Sequence, residues 1–572
     1  MKKSTFVIQK HRLYLVCLIL FGLIAVIENR LFTLQILEHD FLQEEADNRH
    51  VRTVEIPTIR GNITDRNNEL LAVSLPVNTI WANPKEVRID ITELSSLANI
   101  IDVDVSSLMN RLNDNSTREF LYLRRQLPPE VSTEVMKLGL PGVYSMREYK
   151  RFYPAGESVA HLLGFTSIDD NGQEGLELAY ESWLGSTPGR KQVLRDRFGR
   201  IIEDIRSIVP PIEGNDLQTT IDLRLQYRAY QELKRAVFEH NATSGSIVIV
   251  DVDSGDILAL ANQPYFNPNN RASFSARDYR NRAISDVFEP GSAMKPFIVA
   301  AAVESGIYDE LSMIDTSPGS LLINGRIITS DYNNYGSINL RTILENSSNV
   351  GASKVALSLD REFLYQTLNS FGFGNSLGSG LPGEAGGNLS APETWATVKQ
   401  ATMAYGYGLS VTTLQLAQAY TVLAAGGIRR PLSFIRNETI PTGTRVISEE
   451  NAEKVNLMLE SVVANGTGGN ATVDNYRVGG KTGTAWKAVS GGYSEANYIA
   501  SFAGFAPVSK PKFVIIVVID DPKNSEYYGG SVAAPVFSNV MSEALRIYGI
   551  EPDNLGIDES TFLLARLGST NE

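Results

Sequence analysis

The segment Glu289-Pro290-Gly291-Ser292-Ala293-Met294-Lys295 leads directly into an apolar run at residues 297–303. The Pro-Gly pair predicts a turn, and the run predicts a buried helix that closes at Gly306. Ser292 is therefore expected at a helix N-terminus, with Lys295 one turn further along the same face. There, the lysine amine can take the proton of the serine hydroxyl, and the helix N-terminus favours the negative charge that develops.

A serine and a lysine three residues apart are weak evidence when taken alone. Ser509 and Lys512 show the same spacing in what the sequence predicts as a surface turn. A second motif, Ser347-Ser348-Asn349, has the SxN pattern, which by itself predicts only a polar helix cap. A third, Lys481-Thr482-Gly483-Thr484, has the KTG pattern at the start of a predicted strand. Its small residue, Gly483, would let a substrate backbone lie against the strand edge.

The order and spacing of the three motifs are informative together. Lys295 precedes Ser347 by 52 residues, and Asn349 precedes Lys481 by 132 residues. SxxK, SxN and KTG in this order form the set shared by penicillin-binding proteins and class A β-lactamases. The combination indicates acyl transfer with Ser292 as the nucleophile and Lys295 as its base.

Two competing interpretations fail within the sequence. Gly480-Lys481-Thr482 matches the end of a phosphate-binding loop, but that motif needs glycine at position 475, where Asn475 stands. Gly374-Asn375-Ser376-Leu377-Gly378 matches the nucleophile elbow of an α/β-hydrolase, which needs a histidine after its serine. No histidine follows His240. A serine nucleophile in this domain must therefore use a lysine as its base, and Lys295 is the lysine with the right spacing.

Composition narrows the possible classes of protein. The 572 residues include 52 basic and 65 acidic side chains, a net charge of −13, and the length predicts two to four domains. An acidic balance with no basic tract argues against a nucleic-acid binder. Cys17 is the single cysteine, and the five histidines lack ligand spacing. We therefore expect no disulfide framework, no metal site and no cofactor.

The N-terminus predicts a membrane anchor. Residues 13–27 form an uncharged apolar run of fifteen residues, short for a span of roughly twenty. Hydrophobicity resumes at Leu31, so one helix over residues 13–34 is expected. A cleaved signal peptide or a buried soluble helix could also carry such a run, but Glu28-Asn29-Arg30 offers no small-residue cleavage site. The basic residues 1–12 should stay in the cytoplasm, with the rest of the chain outside the membrane.

The exported part is expected to divide near residue 215. Residues 35–215 are polar and punctuated by turn signals, and predict an elongated α+β pedestal. In residues 216–552, strands at residues 245–261 and three more after residue 475 predict an antiparallel sheet flanked by helices. Residues 553–572 are expected to form a loosely held C-terminal tail. The fold class is α+β.

Sequence landmarks outside the motifs point to one family. Over roughly residues 12–555 the chain is similar to the class B penicillin-binding proteins, and among them to the septal peptidoglycan transpeptidases of Gram-negative cell division. Asn68 departs from the family pattern by replacing the usual glycine. The landmarks are residues 60–67, 153–157, 161–165, 196–200, 288–292, 381–384 and 527–530.

This resemblance implies a transpeptidase fold and a role for each motif residue. Ser292 would attack the penultimate D-alanine of a stem peptide, and an amine from a neighbouring stem would attack the acyl-enzyme. Lys295 would be the base, kept partly neutral by desolvation and the Lys481 cation. Ser347 would pass a proton to the leaving amine, and Asn349 would hold Lys295. The terminal carboxylate would be bound by Lys481, Thr482 and Thr484, beside Gly483. The Ser292 and Thr484 N–H groups would form the oxyanion hole.

Three competing functions share parts of this pattern. A β-lactamase needs a glutamate that activates water, and Glu384 with Asn388 has suitable spacing. That glutamate fits the landmark at residues 381–384 better, and a hydrolase of diffusing drugs has no need of a pedestal or an anchor. A catalytically inert division scaffold would keep the fold only to bind partners. An elongation-type transpeptidase would share the catalytic motifs and the reaction.

The same resemblance implies location and partners. The enzyme would sit in the inner membrane at the division septum, with its catalytic domain in the periplasm. Its ligands would be stem peptides ending in D-Ala-D-Ala, and β-lactams that mimic them. Only about 160 exported residues, from about Val51 to Pro211, are available ahead of the expected catalytic domain, too few for a glycosyltransferase in addition to the pedestal. A membrane glycosyltransferase and other divisome proteins are therefore expected partners.

Overall fold

The structure, a computed structural model, describes residues 10–42, 45, 51–195, 201–489, 492–524 and 526–554. The family landmark at residues 196–200 and nearly all of the expected C-terminal tail lie outside the described residues.

The N-terminal apolar run forms the helix Lys10–Phe32, which continues as a π-helical turn over Thr33–Leu37. None of its residues is buried. At 1.5 Å per residue, the 23-residue α-helical part is about 35 Å long, against roughly 30 Å of bilayer hydrocarbon. The prediction that the helix continues past residue 27 is confirmed, and its length and hydropathy suit a membrane span.

The described chain forms two compact units that alternate along the sequence. The second unit includes two segments that precede residue 215. The two units therefore do not correspond to the residues before and after the single boundary that the sequence predicts near residue 215. The first unit comprises the described residues of Met1–Ile59, Pro76–Lys150 and Ser186–Gly214, and the second those of Arg60–Leu75, Arg151–Gly185 and Asn215–Glu572.

The first unit mixes helices and strands, as its sequence predicts. Its helix Ile91–Ile100 begins with a capping box, in which Asp90 accepts from the Glu93 N–H and Glu93 accepts from the Asp90 N–H. Besides Lys10–Phe32, the first unit's described helices are Ile91–Ile100, Val105–Asp114 and Pro129–Lys137, and its strands are Val51–Ile56, Leu121–Leu127, Gly189–Arg195 and Ile201–Val209. Strands Leu70–Ala82 and Val143–Phe152 contribute residues to both units.

The second unit is built on a five-stranded antiparallel sheet. The prediction of one sheet assembled from strands at both ends of the catalytic domain is confirmed. In spatial order the strands are Ile257–Gln263, Ser244–Asp251, Phe513–Asp520, Gly492–Ala506 and Gly479–Val489. We call the last of these, which carries Lys481, Thr482 and Gly483 at the edge of the described sheet, the KTG strand.

Alternating residues of the central strands point to opposite faces of the sheet. Ile247 and Ile249 belong to one buried cluster, with helices Leu223–Glu239 and Ala534–Ile547. Val248 and Val250 belong to another, with helices Lys295–Glu304 and Thr413–Ala424. Since both faces are covered, every residue of Ser244–Asp251 is buried.

Further helices, turns and small strands complete the second unit. Its other helices are Ala160–Leu163, Gly175–Ala179, Glu181–Leu184, Arg282–Ser285, Leu340–Glu345, Asn349–Ser358, Arg361–Ser370, Thr397–Met403, Glu449–Asn465 and Gly529–Val532. The 3-10 turns are Gly156–Val159, Gly291–Met294, Pro392–Thr394 and Gly469–Ala471, and the small strands are Ile63–Thr64, Leu217–Gln218, Met313–Asp315, Ser320–Ile323, Arg326–Ser330, Ser337–Asn339, Ile428–Arg429 and Thr444–Arg445.

The landmark at residues 60–67 has a structural explanation within the second unit. Arg60 is buried and pairs with the buried Glu177, its Nε 2.7 Å from Oε2. Arg151 pairs with the other oxygen of the same carboxylate, also at 2.7 Å. Asn68, which replaces the usual glycine, has φ +68°. Asparagine is among the few residues that tolerate this left-handed backbone, so the replacement preserves the turn.

Candidate active site

Ser292 lies in the 3-10 turn Gly291–Met294, immediately before the helix Lys295–Glu304. The predicted placement of Ser292 at a helix N-terminus is confirmed. Gly291 has φ +56°, and a Cβ on it would lie 2.9 Å from the Thr484 carbonyl oxygen. This glycine therefore permits both the turn and its close approach to the KTG strand. The Tyr420 hydroxyl also fixes the turn by donating to the Ala293 carbonyl at 3.0 Å.

Lys295 is completely buried and lies among oxygen atoms. Its Nζ is 2.9 Å from Ser292 Oγ, 3.0 Å from Ser347 Oγ and 2.7 Å from Asn349 Oδ1, and it also contacts the Ser347 carbonyl. Burial holds the pKa of Lys295 well below its usual range, and the charge of Lys481 lowers it further, while Asp331 opposes the shift. A neutral amine in contact with a serine hydroxyl can accept its proton.

The Ser347-Ser348-Asn349 corner is both a helix cap and part of the site. Ser348 caps the helix Asn349–Ser358 by accepting from the Gly351 N–H at 2.8 Å. Ser347 has φ +53°, a backbone conformation that is uncommon outside glycine and recurs at functional sites. The cap prediction from the sequence is therefore correct for Ser348, whereas the residues on either side contact Lys295.

Asp331 fixes this corner, although no motif pointed to it. One carboxylate oxygen accepts from the Asn349 N–H at 2.7 Å and from the Val350 N–H at 3.1 Å. The other accepts from the Ser348 hydroxyl. Asp331 is thus an anion at a helix N-terminus, where the helix dipole favours negative charge, and it holds Asn349 against Lys295.

Lys481 is also completely buried, on the KTG strand. Its Nζ contacts Thr467 Oγ1 at 3.4 Å, and Thr482 Oγ1 and O at 3.2 and 3.3 Å. Burial lowers the pKa of Lys481 to about 7. Within the described part of the chain, none of the hydrogen-bond partners of Lys481 is a carboxylate. Thr467, which follows the helix Glu449–Asn465, is a member of the site that the motifs did not identify.

Gly483 permits close packing inside the protein. A Cβ at this position would lie 2.3 Å from Ser501 Oγ and 2.7 Å from the Pro290 carbonyl oxygen. The missing side chain therefore brings the KTG strand against the turn that carries Ser292. This is a different physical reason for the glycine from the one that the sequence suggested, an open edge for substrate. A direct contact between Gly483 and substrate stays a prediction.

The motif residues open onto a cleft of about 670 Å³. Ser292, Asn349 and Thr484 line it, together with Ile328, Thr329 and Ser330. Much of the remaining wall is aromatic, a feature that the sequence interpretation missed apart from the landmark at residues 527–530. The aromatic residues are Tyr405, Tyr407, Trp486, Tyr493, Tyr498, Tyr527 and Tyr528.

The competing residues lie elsewhere in the second unit. Glu384 accepts hydrogen bonds from Ser376 Oγ at 2.8 Å and from the Ser379 N–H at 2.7 Å. Burial acts to raise the pKa of Glu384, but the hydrogen bonds from Ser379 and Ser376 outweigh it and lower the pKa. Both Glu384 and Ser376 are absent from the residues that line the cleft among those described. Their contacts are typical of a carboxylate that organises its own loop.

Comparison with known proteins agrees with this geometry. Residues 245–542 match the model of the penicillin binding protein transpeptidase domain, and residues 55–219 match that of the penicillin-binding protein dimerisation domain. The chain is a class B penicillin-binding protein. The first match explains the sheet and cleft around Ser292, and the second covers the region predicted as the pedestal.

The similarity extends over nearly the whole length of several family members. The chain is 42% identical to the peptidoglycan D,D-transpeptidase FtsI of Escherichia coli, over 97% of this chain and 95% of that protein. It is also 42% identical to the probable peptidoglycan D,D-transpeptidase PbpC of Pseudomonas aeruginosa, over 96% and 97% of the two chains. A crystal structure of a peptidoglycan synthetase from Bifidobacterium adolescentis superposes with a TM-score of 0.70 at 26% identity, covering 89% of this chain and 98% of that one. The transpeptidase fold predicted from the sequence is thereby confirmed.

Proposed function

We propose that this chain is a serine-type peptidoglycan D,D-transpeptidase that crosslinks stem peptides through an acyl-enzyme on Ser292. The observation that carries the proposal is the contact of a completely buried lysine amine, Lys295 Nζ, with Ser292 Oγ at 2.9 Å. Burial disfavours the charged form of that amine, so it can act as a base near neutral pH. The relatives named peptidoglycan D,D-transpeptidase support the substrate class.

Acylation begins with transfer of the Ser292 proton to Lys295. Ser292 Oγ then bonds to the carbonyl carbon of the penultimate D-alanine, and the C–N bond to the terminal D-alanine breaks. Ser347, whose Oγ lies 3.0 Å from Lys295 Nζ, passes a proton to the departing nitrogen and regains one from the Lys295 ammonium. The N–H groups of Ser292 and Thr484 bind the oxyanion that forms in between.

The terminal carboxylate of the donor peptide has a matching cation. Lys481 is buried on the KTG strand among hydroxyl and carbonyl oxygens. A carboxylate bound by the Thr482 and Thr484 hydroxyls would supply the opposite charge that this lysine lacks. Its arrival would raise the pKa of Lys481 and keep the ammonium protonated during catalysis.

Crosslinking is completed by an amine of a second stem peptide. Its neutral form attacks the ester carbonyl, a C–N bond forms, and the C–Oγ bond to Ser292 breaks. The proton released by the nitrogen returns through Lys295 to Ser292 Oγ. A β-lactam follows only the first half of this path, because its ring opens without releasing a leaving group. It therefore traps Ser292 as a slowly hydrolysed ester.

The wider cellular assignments belong to the same proposal. Residues 1–12 lie in the cytoplasm, the helix around residues 13–34 anchors the chain in the inner membrane, and the pedestal (residues 35–215) and transpeptidase domain (216–552) are exported. The enzyme acts at the division septum with a membrane glycosyltransferase and other divisome proteins. The similarity to FtsI supports this location.

A fluorescent fusion should concentrate at midcell, and depletion should produce filaments. Rounded cells with label along the side wall would instead assign the protein to elongation.

Penicillin labelling of the full-length chain in detergent tests the chemistry directly. Mass spectrometry of the digested protein should find one penicillin adduct, on the peptide that contains Ser292, and Ser292→Ala should abolish it. An adduct on Ser376 or Ser509 with Ser292 unmodified would overturn the assignment. If no adduct forms at all, the function of an inert division scaffold replaces the proposal.

A further inference from the structure

Glu289, three residues before the nucleophile, has a carboxylate that is only half used. Its Oε1 accepts from the Gly408 N–H at 2.7 Å and from the Tyr493 hydroxyl at 3.1 Å. Its Oε2 is buried and has no hydrogen-bond partner among the described residues. A buried acceptor without a donor costs free energy that a bound donor would recover. A ligand that donates a hydrogen bond to Oε2 would explain why this oxygen is buried without a donor.

The surroundings of Glu289 favour a cationic partner. Gly408 and Tyr493, which hold its Oε1, both line the cleft that contains Ser292. The Tyr493 ring lies 5.3 Å from the Tyr407 ring, and the Tyr407 hydroxyl accepts from the Trp486 N–H at 3.0 Å. None of the described residues that line the cleft carries a formal charge. Glu289 thus places a carboxyl group beside an uncharged, aromatic cleft.

This combination suits an ammonium group better than other ligands. A carboxylate forms charge-assisted hydrogen bonds with an ammonium, and tyrosine and tryptophan faces attract the same cation. An anionic ligand would be repelled, and an apolar ligand would leave Oε2 without a donor. Tyr493, whose hydroxyl donates to Oε1, lines the cleft and is 46% exposed.

We infer that Glu289 binds the ammonium group of the acceptor stem peptide, takes one of its protons on Oε2, and so positions the neutral amine that attacks the acyl-enzyme on Ser292. The inference rests on the proposed acyl-transfer function and adds to it the residue that recognises the second substrate. It separates the two ligands of the cleft by charge. The donor carboxylate goes to Lys481 and the acceptor ammonium to Glu289.

The test measures how an acyl-enzyme partitions between an amine and water. Full-length protein in detergent is given a thioester donor that ends in D-alanine, with propylamine as the acceptor. The ratio of amide to hydrolysis product does not depend on how fast Ser292 is acylated. Glu289→Gln should raise the propylamine concentration for half-maximal amide formation at least roughly 10-fold, as expected for loss of one partner of a charged pair. Glu289→Asp should restore part of the difference. Glu393→Gln removes an exposed carboxylate and should leave the ratio unchanged.

A second measurement needs no variant of the site. O-ethylhydroxylamine has the size of propylamine but is uncharged at neutral pH. The propylamine concentration that half-saturates the wild-type enzyme should be roughly 10-fold lower than the half-saturating concentration of O-ethylhydroxylamine. Equal half-saturating concentrations, or an unchanged ratio in Glu289→Gln, would overturn the role of Glu289. Absence of any acyl-enzyme on Ser292 by mass spectrometry would overturn the proposed function itself.

Discussion

Two stretches of this chain place a lysine three residues after a serine, and their environments differ completely. Lys295 is completely buried, with its Nζ 2.9 Å from Ser292 Oγ. Lys512 is 25% exposed and forms ion pairs with Asp251 at 3.0 Å and Asp253 at 2.8 Å. Ser509 lies in an exposed bend, and its N–H donates to Asp553 at 3.1 Å. The same spacing thus produces a serine–lysine contact in one place and a surface ion pair in the other.

The two lysines consequently differ in the direction of their pKa shifts. Burial, helped by Lys481, holds the pKa of Lys295 well below its usual range. Burial also acts to lower the pKa of Lys512, but Asp253 and Asp251 outweigh it and raise the pKa. A lysine with a carboxylate partner stays a cation, whereas a buried lysine without one can become a base. The difference shows that the environment of the lysine, more than its spacing from the serine, decides whether the lysine can activate that serine as a nucleophile.

The largest expected effect comes from exchanging each lysine for arginine. Lys295→Arg should slow acylation of Ser292 by penicillin at least roughly 10²-fold, because a guanidinium cannot accept the serine proton. Lys512→Arg keeps the charge beside Asp251 and Asp253 and should label at the wild-type rate. The measurement is the time course of labelling with a fluorescent penicillin. Labelling of Lys295→Arg at a near-normal rate would mean that another group takes the proton.

A smaller effect should appear in the pH dependence of stability. Burial lowers the pKa of Lys481 to about 7 in the folded protein, against roughly 10.4 in an unfolded chain. Between these values the unfolded state binds more protons, so the free energy of unfolding should rise with pH. The contribution of one such group is at most about 1.4 kcal/mol per pH unit. Lys481→Met should therefore flatten the rise between pH 7 and 10, as measured by urea unfolding midpoints.

Lys512 provides the control for this experiment, because its shift has the opposite sign. Its folded-state pKa is raised, so the stability that it contributes is complete below the unfolded pKa and is lost only as pH rises through the folded value. Lys512→Met should leave the slope between pH 7 and 10 unchanged. Parallel pH profiles for wild type and Lys481→Met would show that the buried ammonium is stabilised in a way that its contacts do not explain.

Much of the fold follows from local pattern. The turn at Pro290-Gly291 and the apolar run after it predicted the helix Lys295–Glu304, and strand-like runs at both ends of the catalytic region predicted its sheet. The interleaving of the two units was not predictable in this way. Segments 60–75 and 151–185 belong to the second unit through contacts such as that of Gln226 Nε2 with the Ser158 carbonyl, and no local pattern predicts a contact between residues 68 positions apart.

The residues of the candidate site likewise fall into those that sequence motifs identified and those that only the structure revealed. Ser292, Lys295, Ser347, Asn349 and Lys481 were identified from motifs, and the structure brings Lys295 together with Ser292, Ser347 and Asn349. Side chains outside any motif were missed, because an isolated acid, threonine or tyrosine has no distinctive spacing. They are Asp331, Thr467 and the cleft tyrosines Tyr405, Tyr407, Tyr493 and Tyr498, whereas Glu289 belonged to the landmark at residues 288–292 without an assigned role.

The sequence by itself determined the elements that local interactions specify: the apolar N-terminal helix, the alternation of the sheet strands, and a serine one helical turn from a lysine. Only the tertiary structure decided which lysine loses its proton. The pKa of a side chain depends on the water that it loses and on the charges around it. For Lys295 the charges come from Lys481 and Asp331, far away along the chain. Desolvation and long-range charge arise only when distant segments pack together, so they cannot be read from spacing.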